Sequence, residues 1–202
     1  VRIAAGGADA AGGGGRRTAW IYSLGLENTD AELVNLCAGI GGGFVRVPKQ
    51  VMQRALQNLG AGDVEVVSDT RGFGDPAAVG TLTRHTGVHP ETMSRMARSR
   101  AFGGWLRGIR WEVREVLQKS PAVDLRLAFY CKSGKHRSVA GARFLEHCLQ
   151  ADGWDCKVAH LAAARNWSKT CRGECAECRG QTAERTLRDA ALDEALRIWQ
   201  GR

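Results

Sequence analysis

Residues 125–161 contain two short apolar runs on either side of a helical pattern, and this order limits the folds open to the chain. LRLAFY (125–130) and CKVAHL (156–161) are typical of strands, while SVAGARFLEHCLQADG (138–153) has the length and composition of a helix. A strand, a helix and a strand in succession form a parallel crossover, with the helix packed on the sheet. We therefore predict an α/β fold with a mostly parallel sheet flanked by helices.

Similar patterns lie on both sides of this unit. TAWIYSLG (18–25) and VEVV (64–67) are predicted strands, and KQVMQRALQNLG (49–60) is a predicted helix. SRAFGGWLRGIRWEVREVLQK (99–119) is a predicted helix whose apolar stripe is formed by Phe102, Leu106, Ile109, Val113 and Leu117. We predict a terminal amphipathic helix over residues 182–200.

Composition indicates how the chain is divided into segments, and its net charge indicates which partners are favoured. Residues 1–17 are rich in Gly and Ala and have no apolar period, so we expect a flexible leader before a single domain over residues 18–202. Lys and Arg number 29 against 21 Asp and Glu, and the net charge of +8 favours polyanionic partners such as nucleic acid or phosphorylated metabolites. No window holds the roughly 18 apolar residues that a membrane helix needs, so we expect no membrane insertion.

The segment Cys131 to Ser138, CKSGKHRS, has the features of an anion-binding loop, and we call it the anion loop. Cys131 ends a predicted strand, which is where ligands bind in doubly wound sheets. Gly134 permits a turn that other residues resist, and the helix after the loop adds its positive dipole end and its backbone N–H groups. Four further side chains add polar or positive groups around the loop: Lys132, Lys135, His136 and Arg137. Anion binding is the function that this segment predicts.

The spacing C-x5-R is also that of cysteine-dependent phosphatases, in which a thiolate attacks phosphorus. In this alternative Cys131 is the nucleophile, Arg137 binds the phosphate, and Asp75 protonates the leaving oxygen, with Asp69 as a second candidate for the acid. Neither aspartate has a diagnostic spacing. We therefore expect a binding module rather than an enzyme and keep the phosphatase as the alternative.

Four segments follow one another in a recognisable order: VVSDTRGFGDP, LTRHTG, CKSGKHRSV and KVAHL. Together they resemble the RapZ C-terminal domain, from a family of RNase adaptor proteins, over about residues 63–161. The residues that carry the resemblance are Asp69, Arg71, Phe73, Pro76, Thr86, Gly87, Cys131, Gly134, His136, Arg137, Ser138, Val139 and His160. Ser133 and Asp75 depart from the family pattern, which has Gly and Asn at these places.

The resemblance implies an α/β domain that binds a phosphorylated sugar, a nucleotide or RNA and has a regulatory or adaptor role. It also implies that His136 and Arg137 belong to the binding pocket. The predicted ligand-binding residues are Asp69, Arg71, Cys131, Lys132, Ser133, Gly134, Lys135, His136, Arg137, Ser138 and His160.

Three of the seven cysteines crowd into CRGECAEC (171–178), a spacing that suits a metal better than a disulfide framework. Soft thiolates favour zinc, so we predict a structural zinc site with His160 as the fourth ligand and Cys156 as the alternative. The predicted thiolate ligands are Cys171, Cys175 and Cys178. Three unligated thiols on a loop are the competing interpretation. Reduced cysteines indicate an intracellular, reducing compartment.

Residues 95–114 combine six arginines with two tryptophans: Arg95, Arg98, Arg100, Arg107, Arg110, Arg114, Trp105 and Trp111. On one surface they would bind RNA through its phosphates and stacked bases. The alternative assigns the tryptophans to the core and the arginines to solvent. A third hypothesis for function is a structural subunit of a larger assembly, with protein partners and an unused pocket.

Overall fold

The fold is built on one parallel sheet. The computed structural model describes residues 17–29, 33, 47–121 and 124–202, so the predicted leader lies outside the described residues apart from Arg17. The strands are β1 (Thr18–Gly25), β2 (Val66–Asp69), β3 (Leu125–Cys131) and β4 (Asp155–His160). Their order is β2-β3-β1-β4, and each neighbouring pair is parallel. The predicted α/β fold class is confirmed.

Helices follow the strands on both faces of the sheet. They are α1 (Lys49–Asn58), α2 (Pro90–Ala97), α3 (Phe102–Lys119), α4 (Arg137–Ala151), α5 (Ala163–Asn166), α6 (Ala176–Arg179) and α7 (Arg185–Gln200). Short 3-10 turns lie at Leu26–Asn28, Pro76–Ala78 and Gly80–Arg84. Within the described part of the chain, no helix combines the length and the apolar character needed to cross a membrane.

Side chains alternate along the strands and fill a core on each face of the sheet. On β3, Leu125, Leu127 and Phe129 belong to a core shared with α2, α3, α4 and α7. Ala128 and Tyr130 belong to a smaller core shared with α1. Both faces are covered, which is why β3 is apolar along nearly its whole length.

The predicted elements are present, with small shifts at their ends. The predicted stripe of α3 is core, since Phe102, Leu106, Ile109 and Val113 are buried and Leu117 packs against the same cluster. β2 begins at Val66 rather than Val64, and the terminal helix begins at Arg185 rather than residue 182.

The parallel order brings the carboxyl ends of the strands to one edge of the sheet. Gly25 at the end of β1 lies beside Cys131 at the end of β3, and His160 at the end of β4 lies beside Ser23 of β1. A Cβ at Gly25 would lie 2.5 Å from the carbonyl oxygen of Ser133. Glycine at this position therefore lets the anion loop fold back over β1.

Gly25→Ala is expected to lower the free energy of unfolding, because the added methyl group overlaps the backbone of Ser133 and Gly134. Overpacking of this kind costs about 1–3 kcal/mol. Gly104→Ala is the control: nothing lies within 4 Å of its Cβ position, and alanine stabilises a helix by roughly 0.5–1 kcal/mol relative to glycine. Urea denaturation measures both variants. An unchanged midpoint for Gly25→Ala would contradict this close approach.

Candidate functional site

The anion loop is folded around the thiol of Cys131. This side chain is 1% exposed, and its Sγ accepts a hydrogen bond from the backbone N–H of Gly134 at 3.3 Å and lies 3.3 Å from Ser138 Oγ. Gly134 has φ +70°, and a Cβ there would lie 2.5 Å from the Gly25 nitrogen. Gly134 is therefore required both for the turn and for the approach to β1.

Arg137 is the first residue of α4, and its guanidinium holds the segment that follows β2. Nη1 donates to the carbonyl oxygens of Arg71 and Phe73, both at 3.0 Å. Nη2 lies 3.9 Å from Asp75 Oδ2. The residue is buried, so this guanidinium has a structural role in addition to its predicted role in ligand binding, which stays a prediction.

His136 holds a second segment against the anion loop. Its Nε2 lies 3.1 Å from the carbonyl oxygens of Leu82 and His85, and because both neighbours are acceptors this nitrogen carries the proton. Burial, aided by the positive charge of Lys135, lowers the pKa of His136 to about 4. His136 is therefore neutral at pH 7, so among the polar or positive groups predicted around the loop it adds hydrogen bonds rather than positive charge. Lys135 Nζ donates to the Thr83 carbonyl at 2.9 Å, which ties down the same segment.

Asp69 and Arg71, two predicted ligand-binding residues, pair with each other beside the anion loop. Arg71 Nη2 lies 2.6 Å from Asp69 Oδ2, and the arginine side chain is 3% exposed. The Arg71 guanidinium also stands over the ring of Tyr130, 5.4 Å from its centroid. Burial raises the pKa of Tyr130, and the Asp69 carboxylate contributes. The pair lies at the carboxyl end of β2, where Asp69 is the neighbour of Tyr130 on β3.

The region after β4 covers the anion loop with residues that the sequence did not single out. Asn166 Nδ2 donates to the Ser133 carbonyl at 2.7 Å, and Trp167 Nε1 donates to the Gly134 carbonyl at 3.3 Å. Lys132 points away from these contacts towards Glu27, with Nζ 3.4 Å from Oε1. No motif marks Asn166 or Trp167, so only the folded chain identifies them.

A cluster of three thiols and one imidazole lies next to this region. The ligand atoms of His85, Cys171, Cys175 and Cys178 all lie within 4.8 Å of one another, so the cluster could hold a metal ion. His85 Nδ1 lies 3.7, 3.5 and 3.6 Å from the sulfurs of Cys171, Cys175 and Cys178. In a tetrahedral site with metal–sulfur bonds of about 2.3 Å, ligand atoms stand roughly 3.8 Å apart, so the spacing fits.

The fourth member of the cluster is His85, which corrects the prediction of His160. His160 Nδ1 instead bonds with Ser23 Oγ at 2.7 Å, and its ring lies 5.1 Å from that of Trp167. Burial, with the charge of Arg143, lowers the pKa of His160 to about 4. The alternative ligand, Cys156, lies on β4 with its thiol directed at the Glu146 carbonyl, 3.8 Å away.

Glu177 stands behind the cluster and orients its imidazole. Its Oε2 lies 3.3 Å from Nε2 of both His85 and His89. His89 Nδ1 accepts the backbone N–H of Glu91, so its Nε2 carries the proton that Glu177 accepts. A carboxylate that accepts the N–H of a ligating histidine fixes the ring and is typical of metal sites. Sequence spacing gave no signal for this contact.

His85 connects the cluster to the anion loop. Its imidazole belongs to the cluster, and its backbone carbonyl accepts the proton of His136 Nε2. The neighbouring carbonyl of Arg84 accepts the backbone N–H of Cys171 at 2.8 Å. The 3-10 segment that ends at Arg84 is therefore fixed from both sides.

The two tryptophans of residues 95–114 lie in different environments. Trp105 donates from Nε1 to Ser68 Oγ at 2.8 Å and packs edge-on against Phe73, so it belongs with the core. Trp111 is 63% exposed. The core interpretation therefore holds for Trp105, and RNA binding through Trp111 stays a prediction.

These features define a class: a parallel α/β domain whose candidate site lies at the carboxyl edge of its sheet. A family model described as the RapZ C-terminal domain matches residues 56–164, just over half of the chain. The chain belongs to this family, as the resemblance indicated, and membership supports a regulatory or adaptor role. No curated protein matches the chain. The matched region ends before Cys171, so the three cysteines lie outside it.

His85→Ala is expected to lower the metal content of the protein severalfold, because it deletes one of the four side chains that could hold the ion, whereas His160→Ala is expected to leave the metal content unchanged. Metal content of freshly purified protein, measured by mass spectrometry, checks both. Equal loss in the two variants would contradict the assignment of His85. Less than about half an equivalent in the unmodified protein would contradict a structural site.

Proposed function

We propose that this protein is a regulatory binding module whose anion loop holds the phosphate group of a phosphorylated sugar, a nucleotide or RNA. The observation that carries the proposal is the conformation of the loop. The N–H of Gly134 turns inward to the Cys131 sulfur, and α4 begins at Arg137 directly after the turn. The first N–H groups of a helix have no acceptor within the helix, and together with the helix dipole they favour an anion.

A cavity of about 130 Å³ beside Arg137 is where we expect the phosphate. Arg137 and Arg95 line it from two helices, and Gly74 lines it from the segment after β2. Thr92 Oγ1 is buried at this cavity and makes no hydrogen bond within the described residues, so a ligand oxygen would give it a partner. The volume suits a phosphate group, whereas whole-ligand pockets are about 300–1,000 Å³. The rest of the ligand would lie outside the cavity.

Asp75 limits the affinity of this proposed site. It lines the same cavity, its side chain is 51% exposed, and its Oδ2 lies 3.9 Å from Arg137 Nη2. A carboxylate at this distance offsets part of the charge of the guanidinium and repels a phosphate. The asparagine of the family pattern would have neither effect.

The phosphatase alternative receives less support from the geometry. The Cys131 sulfur is enclosed by the Gly134 N–H and the Ser138 hydroxyl, and the side chain is 1% exposed. A nucleophilic thiolate needs an open approach to phosphorus. We therefore assign Cys131 to the support of the loop.

We further propose that the metal is zinc. Three thiolates and one imidazole are a common ligand set for structural Zn²⁺, and soft sulfur ligands select it over Mg²⁺ or Ca²⁺. Bound zinc would cross-link His85 to the loop of residues 171–178. Because the carbonyl of His85 accepts a hydrogen bond from His136, this cross-link would also brace the anion loop. Thiolate ligands persist in a reducing compartment, so an intracellular location is part of the proposal.

One further observation supports RNA as the ligand rather than a phosphorylated sugar or a nucleotide. Trp111 is exposed on α3, and Arg107 is exposed one turn before it. An exposed aromatic ring can stack on a base, and a neighbouring arginine can bind the next phosphate.

Asp75→Asn is expected to tighten binding of inorganic phosphate at the anion loop by about twofold to fivefold, since a partly exposed charge interaction is worth about 1 kcal/mol or less. The site is measured by NMR during a phosphate titration, through the amide signal of Gly74, which lines the cavity, and that of Gly134 in the loop that precedes Arg137. Asp155→Asn is the control, because Asp155 begins β4 at the opposite edge of the sheet. If both variants bind phosphate more tightly by the same factor, the gain comes from the change in net charge and not from Asp75 itself. Signals of Gly74 and Gly134 that phosphate does not move would overturn the proposed function.

A further inference from the structure

A second cavity, of about 360 Å³, lies between β4, α4 and the segment that carries α6 and α7. Its wall includes Arg143 from α4, Arg179 from the end of α6 and Arg188 from α7. Among the described residues that line it, none belongs to the anion loop. Three arginines from separate elements meet here because of the fold, not because of a basic run in the sequence.

Positive charge exceeds negative charge among the described residues that line this cavity. Glu146 is the carboxylate among the described lining residues, and it forms an ion pair with Arg143. The side chain of Arg188 is 18% exposed, and its Nε lies 3.6 Å from Asp189 Oδ1, while its Nη1 lies 3.5 Å from the Cys178 carbonyl. Charge-assisted hydrogen bonds of arginine are usually about 2.7–2.9 Å. These long contacts leave donor capacity on a largely buried guanidinium.

The wall of the cavity is held in place before any ligand arrives. Gly180 ends α6 with φ +69°, and a Cβ there would overlap the guanidinium of Arg188. His160, which also lines the cavity, is fixed by its bond to the Ser23 hydroxyl and by the ring of Trp167. A neutral His160 adds a hydrogen-bonding group without adding charge.

We propose that this cavity is a second anion-binding site, which binds the phosphate group of a small phosphorylated metabolite. Beyond the Arg143–Glu146 pair, the guanidinium of Arg179 and that of Arg188, which Asp189 neutralises in part, attract the charge of about −1.5 to −2 on a phosphate monoester. The volume falls within the range of roughly 300–1,000 Å³ typical of small-molecule sites, so the organic part of the ligand also fits. Cys178 lines the same cavity, so the site adjoins the metal cluster.

Titration with inorganic phosphate, followed by NMR of backbone amides and arginine Nε–Hε groups, tests the second site separately from the anion loop. The unmodified protein is expected to show independent shifts at Gly134 and at the Arg179 and Arg188 side chains. Arg188→Gln is expected to weaken binding at the second site, read on the Arg179 signal, by about tenfold. The response of Gly134 and the metal content are expected to stay unchanged.

Arg185→Gln is the matched control. Arg185 lies on the same helix and pairs with Asp189 at 3.0 Å, but its side chain is 65% exposed and does not line the cavity. Arg179→Gln provides a second test and is also expected to weaken binding, read on Arg188. Equal weakening by Arg185→Gln, or arginine signals that phosphate does not move, would overturn this inference. Loss of the Gly74 and Gly134 responses alone would instead overturn the proposed function and leave the second site standing.

Discussion

The contact of His136 Nε2 with the carbonyl oxygens of Leu82 and His85 connects the anion loop to the segment that leads to the cysteine cluster. His136 precedes α4 at the end of the anion loop, and each of its two contacts is 3.1 Å long. A neutral imidazole suits this position, because a buried charge without a counter-ion would be costly. His85 carries the contact further, since its own imidazole belongs to the cluster with three cysteines. The shape of the anion loop and the position of the cluster therefore both depend on the short segment from Leu82 to His85.

Glycines permit this segment and the sheet to pack closely against the anion loop. The N–H of Gly87 donates to the Lys135 carbonyl at 3.0 Å, and a Cβ at Gly87 would overlap the His136 carbonyl. Gly25 on β1 likewise has no side chain, which lets the backbone of Ser133 pack closely against it. Side chains at either position would push the loop outwards and separate its donors from the carboxyl edge of the sheet.

Apolar periodicity predicted the sheet and its helices because β3 and α4 each bury side chains at the spacing that their geometry imposes. It could not predict the fourth member of the cluster: His85 lies 86 residues from Cys171, and spacing does not distinguish it among five histidines. His160 was expected because it is near the cysteines in sequence, yet its ring faces Ser23. The pairing of Asp69 with Arg71 and the meeting of Arg143, Arg179 and Arg188 likewise arise only when separate elements pack together.

The central claim is that His85 connects the anion loop to the cluster with three cysteines. Phosphate affinity at the anion loop, measured with and without metal, tests this claim most directly. The metal would be removed with a chelator and its loss verified by mass spectrometry, and the Gly134 amide would be followed during a titration with inorganic phosphate. We expect removal to weaken binding at Gly134 by about fivefold or more, and added zinc to restore it. The same affinity in the metal-free protein would contradict the account.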